Sequence, residues 1–129
     1  MQRLSQLHFE VAVGADGKAT VSHNAVVARN EKWRGPIVTE PYEVGWAREI
    51  IVFVRALSVE GATAGIEARI QISPDGMCWV DEGSRFELPT RADEVTFARV
   101  AHFGNWLRIV AELPQGVCMQ PVVTISLKA

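Results

Sequence analysis

The sequence predicts an all-β protein: an antiparallel β-sandwich of jelly-roll-like topology with about eight strands. Three observations support this fold class. Short runs alternate apolar and polar residues with the period of two that half-buried strands require. Glycine and proline interrupt these runs at intervals of roughly 8 to 12 residues, which is typical of sandwiches. No window of helical length carries a capped apolar stripe with a period of 3.6.

Length and composition indicate one globular domain spanning residues 1–129. At this size a chain buries roughly two thirds of its unfolded surface. The residues are 48% apolar and 22% charged, with a net charge of −2. This balance gives no strong field for nucleic acid or for an anionic membrane, so neither is an expected partner.

The amino-terminal sequence does not predict export, and the two cysteines form no recognisable motif. The first eight residues lack the apolar core of a signal peptide, and no later run reaches the length of a membrane helix. We therefore expect synthesis in the cytoplasm without a signal peptide. Cys78 and Cys118 form no CxxC motif and have apolar neighbours, so we expect two buried thiols.

The first predicted hairpin joins the alternating segments 7–13 and 19–25. A three-residue loop with Gly17 in the left-handed conformation keeps one face of the hairpin apolar, whereas a two-residue loop mixes the faces. The preferred register places His23 at the inner edge and His8 outside. It opposes Val13 to Ala19, Val11 to Val21 and Phe9 to His23.

The next segment alternates loops and strands. Residues 30–36 are polar and turn-rich, so we expect Trp33 to be exposed there. Residues 37–39 form a short strand that Pro41 stops. The unbroken apolar run within 49–57 predicts a central strand covered on both faces.

The clearest hairpin follows at residues 66–80. Ile66 to Ile72 alternate strictly with polar residues, and the next four residues have the composition of a tight turn. The turn and the aromatic residue that closes it are Ser73, Pro74, Asp75, Gly76 and Trp79.

The last third of the chain predicts four further segments. Residues 81–84 break the alternation, 86–88 form a short strand ended by Pro89, and 95–101 form another strand. Residues 106–113 alternate cleanly, and the turn at 114–116 predicts that 117–127 returns antiparallel to them.

Prolines at edges blunt exposed strands, and four can do so. These are Pro36, Pro41, Pro89 and Pro121.

The sequence contains no pattern typical of a catalytic or metal site. His8, His23 and His102 lack the spacing of metal ligands, and no nucleophile stands in a G-x-S-x-G motif. The adjacent acidic pairs at 81–82 and 93–94 point to opposite faces of a strand, and no glycine-rich phosphate loop occurs. We therefore predict no enzyme activity, no catalytic residue, no metal and no cofactor.

The aromatic residues are the best binding candidates. All four tryptophans lie at or next to strand ends or turns, where an indole can contact a ligand or partner. Trp79 and Trp106 are also typical of plugs at the edge of a core. The binding or interface candidates are Trp33, Trp46, Tyr42 and Trp106.

The turn motif carries a resemblance. The segment from Ser73 to Trp79 resembles the S-P-D-G-x-x-W hairpin of small β-sandwich modules in phage virions and bacterial surface proteins, and residues 97–100 and 106–109 are similar to the strands that follow it there. The turn also resembles the sialidase-type Asp box, S-x-D-x-G-x-x-W, but one residue between Asp75 and Gly76 is missing. The chain is too short for a propeller. The resemblance implies a structural or adhesive module assembled by symmetry.

Three functional hypotheses follow. The first is a non-enzymatic structural or assembly protein, a homo-oligomer associated with a phage virion or related particle, whose partners are other copies of itself and other particle proteins. The second is a carbohydrate-binding sandwich in which Trp33 or Trp46 stacks on sugar. The third is a small cupin-like enzyme, which requires the histidines and a carboxylate to meet.

Overall fold

The protein is a sandwich of two antiparallel sheets. The computed structural model describes residues 10–13 and 19–129, with side chains described from residue 21 onward. This part of the chain forms ten strands and no helix. The strands are β1 (Glu10–Val13), β2 (Ala19–Ala28), β3 (Pro36–Val38), β4 (Tyr42–Glu43), β5 (Glu49–Glu60), β6 (Glu67–Ser73), β7 (Val80–Glu87), β8 (Val95–Val100), β9 (Trp106–Glu112) and β10 (Cys118–Lys128).

The strand order has the topology of a jelly roll. Sheet A runs β1-β2-β10-β5-β8, and sheet B runs β3-β9-β6-β7, with β4 also paired to β9. Because β3 and β4 together fill one strand position and β1 is a short addition, eight strand positions form the two layers. The chain crosses between the layers at every connection after β2 except the β6–β7 hairpin. This arrangement confirms the predicted fold class.

The first hairpin has the predicted register. Val13 opposes Ala19 and Val11 opposes Val21 in the β1–β2 pair. Further along β2, His23 is buried, as expected of an inner-face residue. Phe9, His8 and the loop at Gly17 lie outside the described residues.

Strand β5 differs from its prediction. Its residues alternate between fully buried positions such as Val52 and Val54 and half-buried or exposed positions such as Phe53 and Arg55. The strand therefore has one core face and one outer face, and the prediction that both faces are covered is wrong. Ile51 and Phe53 belong to a second apolar surface on the outside of sheet A.

The central hairpin is longer than the sequence pattern indicated. Ile72 opposes Val80, and the pairing of β6 with β7 continues to Glu67 and Glu87. Residues 81–84 do not break the strand, because the register shifts between Arg69 and Gln71 and accommodates two extra residues of β7 as a β-bulge. Gly83 has φ of +114°, a value that L-residues rarely adopt.

The final strand does not return along β9 as predicted. Instead β10 crosses to sheet A and lies between β2 and β5. The turn at 114–116 thus connects the two layers. Pro121 lies inside this central strand, not at an edge, and a register shift at Gln120–Pro121 accommodates its missing N–H.

The core consists of the inward faces of both sheets. Its fully buried positions include Val52, Ile70, Leu107 and Ile125, which are contributed by four strands of the two layers. Alternation along each strand places these side chains against the opposite sheet. No helical segment with the length and hydropathy of a membrane span occurs in residues 10–13 and 19–129.

The packing predicts that Leu107→Ala lowers the free energy of unfolding by about 2–5 kcal/mol, because it removes buried methyl groups and leaves a cavity. Leu57→Ala is the matched control, since Leu57 is 39% exposed on β5, and it should cost less than about 1 kcal/mol. Urea unfolding measures both. Equal losses would contradict the placement of Leu107 in the core.

Candidate interaction surface

The turn after β6 is held by a compact hydrogen-bond network. The Ser73 hydroxyl oxygen accepts from the backbone N–H of Gly76 at 2.8 Å, and the hydroxyl donates to Asp75 Oδ1 at 3.0 Å. Asp75 Oδ1 also accepts from the N–H of Met77 and of Cys78, both at 2.9 Å. These N–H donors, that of Cys78 first, hold the pKa of Asp75 below its usual value. Ser73 and Asp75 thus provide acceptors for three backbone N–H groups of the turn, as these residue types commonly do.

The turn lies against Trp106. A Cβ atom at Gly76 would be 3.5 Å from Trp106 Cε2, and one at Gly104 would be 2.9 Å from the Ser73 carbonyl oxygen. Asn105 Nδ2 donates to the Pro74 carbonyl at 3.3 Å. The turn therefore covers part of the indole, and Trp106 is half-buried. Glycine at position 104 permits this close approach.

A polar chain crosses the outer face of sheet B beside this turn. The Arg108 guanidinium lies 4.2 Å from the centre of the Trp79 ring, within the range of a cation–π contact. Arg108 Nε donates to Gln71 Oε1 at 2.8 Å, and Gln71 Nε2 donates to Asp81 Oδ1 at 3.0 Å. Trp79 is thus half-buried against Arg108 on an ordered polar surface.

The other predicted aromatic candidates are less available. Trp33 is only 2% exposed, so its predicted exposure is wrong. Its backbone forms a β-bridge with Met119, and its indole N–H donates to Glu31 at 3.1 Å. Tyr42 is buried and stacks on His23 with ring centres 6.4 Å apart. Trp46 is half-buried against the core. The polar sequence around Trp33 does not indicate the β-bridge to Met119 that holds this residue in place.

The outer face of sheet A carries an apolar surface that sequence reasoning missed. Phe97 and Val95 of β8 are 44% and 49% exposed. Phe97 opposes Phe53, with ring centres 6.0 Å apart, and the same row continues through Thr124 to the exposed Val26. We call this set the outer patch. It consists of Val26, Ile51, Phe53, Val95, Phe97 and Val122.

One side of the outer patch ends at an open strand edge. Strand β8 is the last strand of sheet A on that side. Charged groups flank it: Arg99 lies over Phe97 at 5.1 Å, and Arg55 donates to Asp93 at 2.8 Å. The sequence did contain a signal for this surface, since β5 has apolar residues on both faces. Phe53 lies on the outer face of β5 and is opposed to Phe97 of β8.

The two cysteines differ in environment, and both are free. Cys118 is buried, and its thiol donates to Glu60 Oε2 at 3.1 Å. This hydrogen bond, together with burial, raises the pKa of Cys118, and it is the main cause that lowers the pKa of Glu60. Cys78 is exposed in the turn. The prediction of two buried thiols is therefore wrong for Cys78, whose hairpin position faces solvent.

The described histidines do not converge. His23 lies inside the sandwich on β2, whereas His102 is exposed after β8 with φ of +31°. Within residues 10–13 and 19–129, no three histidine, cysteine, aspartate or glutamate side chains are grouped as metal ligands. His8 lies outside these residues.

An open cleft of about 270 Å³ lies where the end of β2 meets the segment after β3. Its walls combine the aliphatic Val26 and Val38 with the charged Arg29, Glu31 and Glu40. None of the described residues that line the cleft is aromatic. The cleft therefore does not bring the predicted aromatic candidates together.

The geometry defines the class of protein as an antiparallel β-sandwich of jelly-roll topology with two outer surfaces. No protein-family model matches the chain, and no curated protein matches it at a significant level. Its fold is similar to that of the SPBc2 prophage-derived protein YomS, with a TM-score of 0.51 at 12% identity over 85% of this chain and 95% of that one. This likeness shows a shared fold.

Two further solved structures are similar more loosely. One is a carbohydrate-binding module of Cellvibrio mixtus lichenase 5A, solved with cellotriose, with a TM-score of 0.39 and 11% identity over 94% of this chain and 86% of that one. The other is the K2 cleaved adhesin domain of Lys-gingipain, with a TM-score of 0.43 and 14% identity over 95% of this chain and 78% of that one.

The turn network predicts a pH-dependent contribution from Asp75. Because its folded pKa lies below its ordinary value of 3.8, its stabilising effect is complete above that value and is lost as the pH falls through the folded pKa. Asp75→Asn keeps one acceptor oxygen but removes the charge. We expect wild type to be more stable than this variant near pH 6, with the gap narrowing below about pH 4.

Urea unfolding at several pH values measures this gap. Asp75→Ala is the companion variant, since it removes the acceptor at every pH and should stay destabilised under acid and neutral conditions alike. A gap between wild type and Asp75→Asn that is the same at pH 2.5 and pH 6 would contradict the role assigned to the carboxylate.

Proposed function

We propose that the protein is a non-enzymatic structural or assembly subunit that forms a homo-oligomer, associated with a phage virion or a related particle. The observation that carries the proposal is the outer patch of sheet A. When one face of an antiparallel sheet packs on the core and the other is solvated, the residues on the solvated face are normally polar. Here Phe97 and Val95 remain exposed beside Phe53 on that face.

Two further features support self-association. A contiguous apolar surface on a small protein marks an interaction site. An edge strand also requires a partner, a charge or a proline, and β8 contains no proline and a single charged residue, Arg99, near its end. Jelly rolls recur in viral capsid subunits, and this chain shares its fold with a prophage-derived protein, which supports the particle context.

We expect the protein in solution to have a mass that is an integral multiple, at least two, of the 14.2 kDa chain. Phe97→Lys should shift the distribution toward monomer, because it places a charge in the outer patch. Multi-angle light scattering after size exclusion, at tens of micromolar chain, measures both.

Val38→Lys is the matched control. Val38 is also an exposed aliphatic residue in a strand, but it lies on β3 of sheet B and outside the outer patch. The mass of this variant should equal that of wild type. A wild-type protein that is strictly monomeric under these conditions would overturn the proposal.

A second candidate function is glycan binding, and a specific surface favours it. Sugars stack on indole rings and form hydrogen bonds with fixed polar groups, and Trp79 lies next to the ordered Arg108–Gln71–Asp81 chain. The earlier candidates fit less well, because Trp33 is buried and Trp46 packs against the core.

Titration with a panel of soluble oligosaccharides, followed by tryptophan emission, tests this candidate. If glycan binds at this surface, emission changes saturably, and Trp79→Ala abolishes the change. Trp46→Phe is the control and should leave it intact. The absence of any saturable response across the panel would eliminate the surface as a sugar site.

A further inference from the structure

We infer that the contact between copies is an antiparallel pairing of β8 with β8 of a second copy, centred on Thr96, which joins the two A sheets into one continuous sheet. This inference rests on the proposed self-association and names the surface that performs it. Three observations converge on this edge: its free backbone groups, its apolar side chains and its charges.

The backbone of β8 offers hydrogen-bonding groups at the open edge. The Ala56 N–H donates to the Glu94 carbonyl at 3.1 Å, and the paired register places Thr96 opposite Val54. Since antiparallel strands alternate the direction of their polar groups, the groups of Thr96 face β5 and those of Val95 and Phe97 face outward. No backbone partner for these outward groups occurs in the part of the chain that the structure describes.

The side chains select a register. When Thr96 opposes Thr96 of the second copy, Val95 opposes Phe97 of that copy, and the reverse pair forms by symmetry. Both pairs occupy hydrogen-bonded positions, because the outward-facing groups belong to these residues. The outer patches then become continuous across the new pair, and Val95 of each copy contacts Phe97 of the other as a cross-strand pair.

The same register places opposite charges together. Arg99 of one copy comes near Asp93 of the other, which lies in the turn just before β8 with φ of +67°. Asp93 already accepts a hydrogen bond from Arg55, so its carboxylate lies on the outer face. Its side chain is largely exposed and is free to accept a second guanidinium. Two such pairs form in each dimer, and they also disfavour registers in which Arg99 opposes an apolar residue.

Thr96 itself lies at the two-fold axis of this pairing. It opposes the fully buried Val54 and has the same phase as the buried Ala98, so its side chain lies on the core face of sheet A. Its hydroxyl oxygen is enclosed by its own subunit and takes no part in the contact. In the proposed pair, the two Thr96 residues occupy a non-hydrogen-bonded position, where Cα atoms are about 4.5 Å apart.

Disulfide trapping tests the register. In the full chain carrying Cys78→Ser, which removes the exposed native thiol, Thr96→Cys should form a covalent dimer under mild oxidation, because its Cα separation in the pair fits a disulfide. Phe97→Cys and Thr124→Cys are the matched controls. They should cross-link at least about tenfold more slowly, since neither opposes itself in this register.

The outcomes separate the two proposals. Fast cross-linking of Thr96→Cys supports the inference. Faster cross-linking of Phe97→Cys would overturn the register, and an oligomer by light scattering without any cross-link at position 96 would overturn the β8 contact while leaving the proposed self-association standing. A monomer by light scattering would overturn the proposed function itself.

A charge variant keeps the inference testable if Thr96→Cys fails to fold. Arg99→Glu places a negative charge near Asp93 of the other copy. Because the two charges repel, we expect the dissociation constant of the oligomer to rise by about five- to tenfold at low salt. Arg91→Glu, an exposed change before β8, is the control and should have less than a twofold effect. Equal effects of the two variants would contradict the predicted Arg99–Asp93 pair.

Discussion

The pairing of β10 with β5 is the constraint on which the rest of the structure depends. These are the two longest strands of the sheets, and they are opposed over nearly their whole length, with Val123 against Val54 and Ile125 against Val52. Because opposed residues share a face, this register fixes which side of sheet A is core. A slip of β10 by one residue would move its fully buried Val123 and Ile125 to the outer face. Strands β2 and β8 take their places on either side of this pair, so the outer patch and the open edge are consequences of the same register.

The parts of the fold that could be predicted from the sequence are those whose determining contacts are local in the chain. The turn at Ser73–Gly76 was predictable because its hydrogen bonds join residues two or three apart. The β1–β2 register was also predictable, since one turn length keeps a hairpin face apolar. The burial of Trp33 was not, because it follows from a bridge to Met119, a residue far along the chain. The partner of β10 was hidden for the same reason, since a turn does not specify which sheet receives the next strand.

The candidate surfaces show the same division. Sequence reasoning chose tryptophans near turns and described Trp79 and Trp106 as plugs at the edge of the core. Both are half-buried, but Trp79 lies against Arg108 and Trp106 lies against the turn at Gly76. It missed the outer patch, because β5, with apolar residues in both phases, was interpreted as covered on both faces. That composition has a second physical explanation: one face packs inside the subunit, and the other remains available for the proposed contact between copies. The half-exposed Phe53 and Phe97 are consistent with this explanation.

This second explanation also accounts for how little of the edge is protected. A monomeric sandwich blunts its terminal strands. Here Pro36 lies on β3 at the edge of sheet B, but none of the prolines protects β8: Pro121 occupies a central strand, and Pro89 precedes β8 by several residues. The charges near β8 do not repel a second copy, because Arg99 and Asp93 have opposite signs and lie on either side of Thr96. An edge that carries both signs of charge disfavours partners of a single charge but is complementary to an antiparallel copy of itself. In the contact that we propose, the same short strand therefore limits non-specific pairing while it permits one symmetric arrangement.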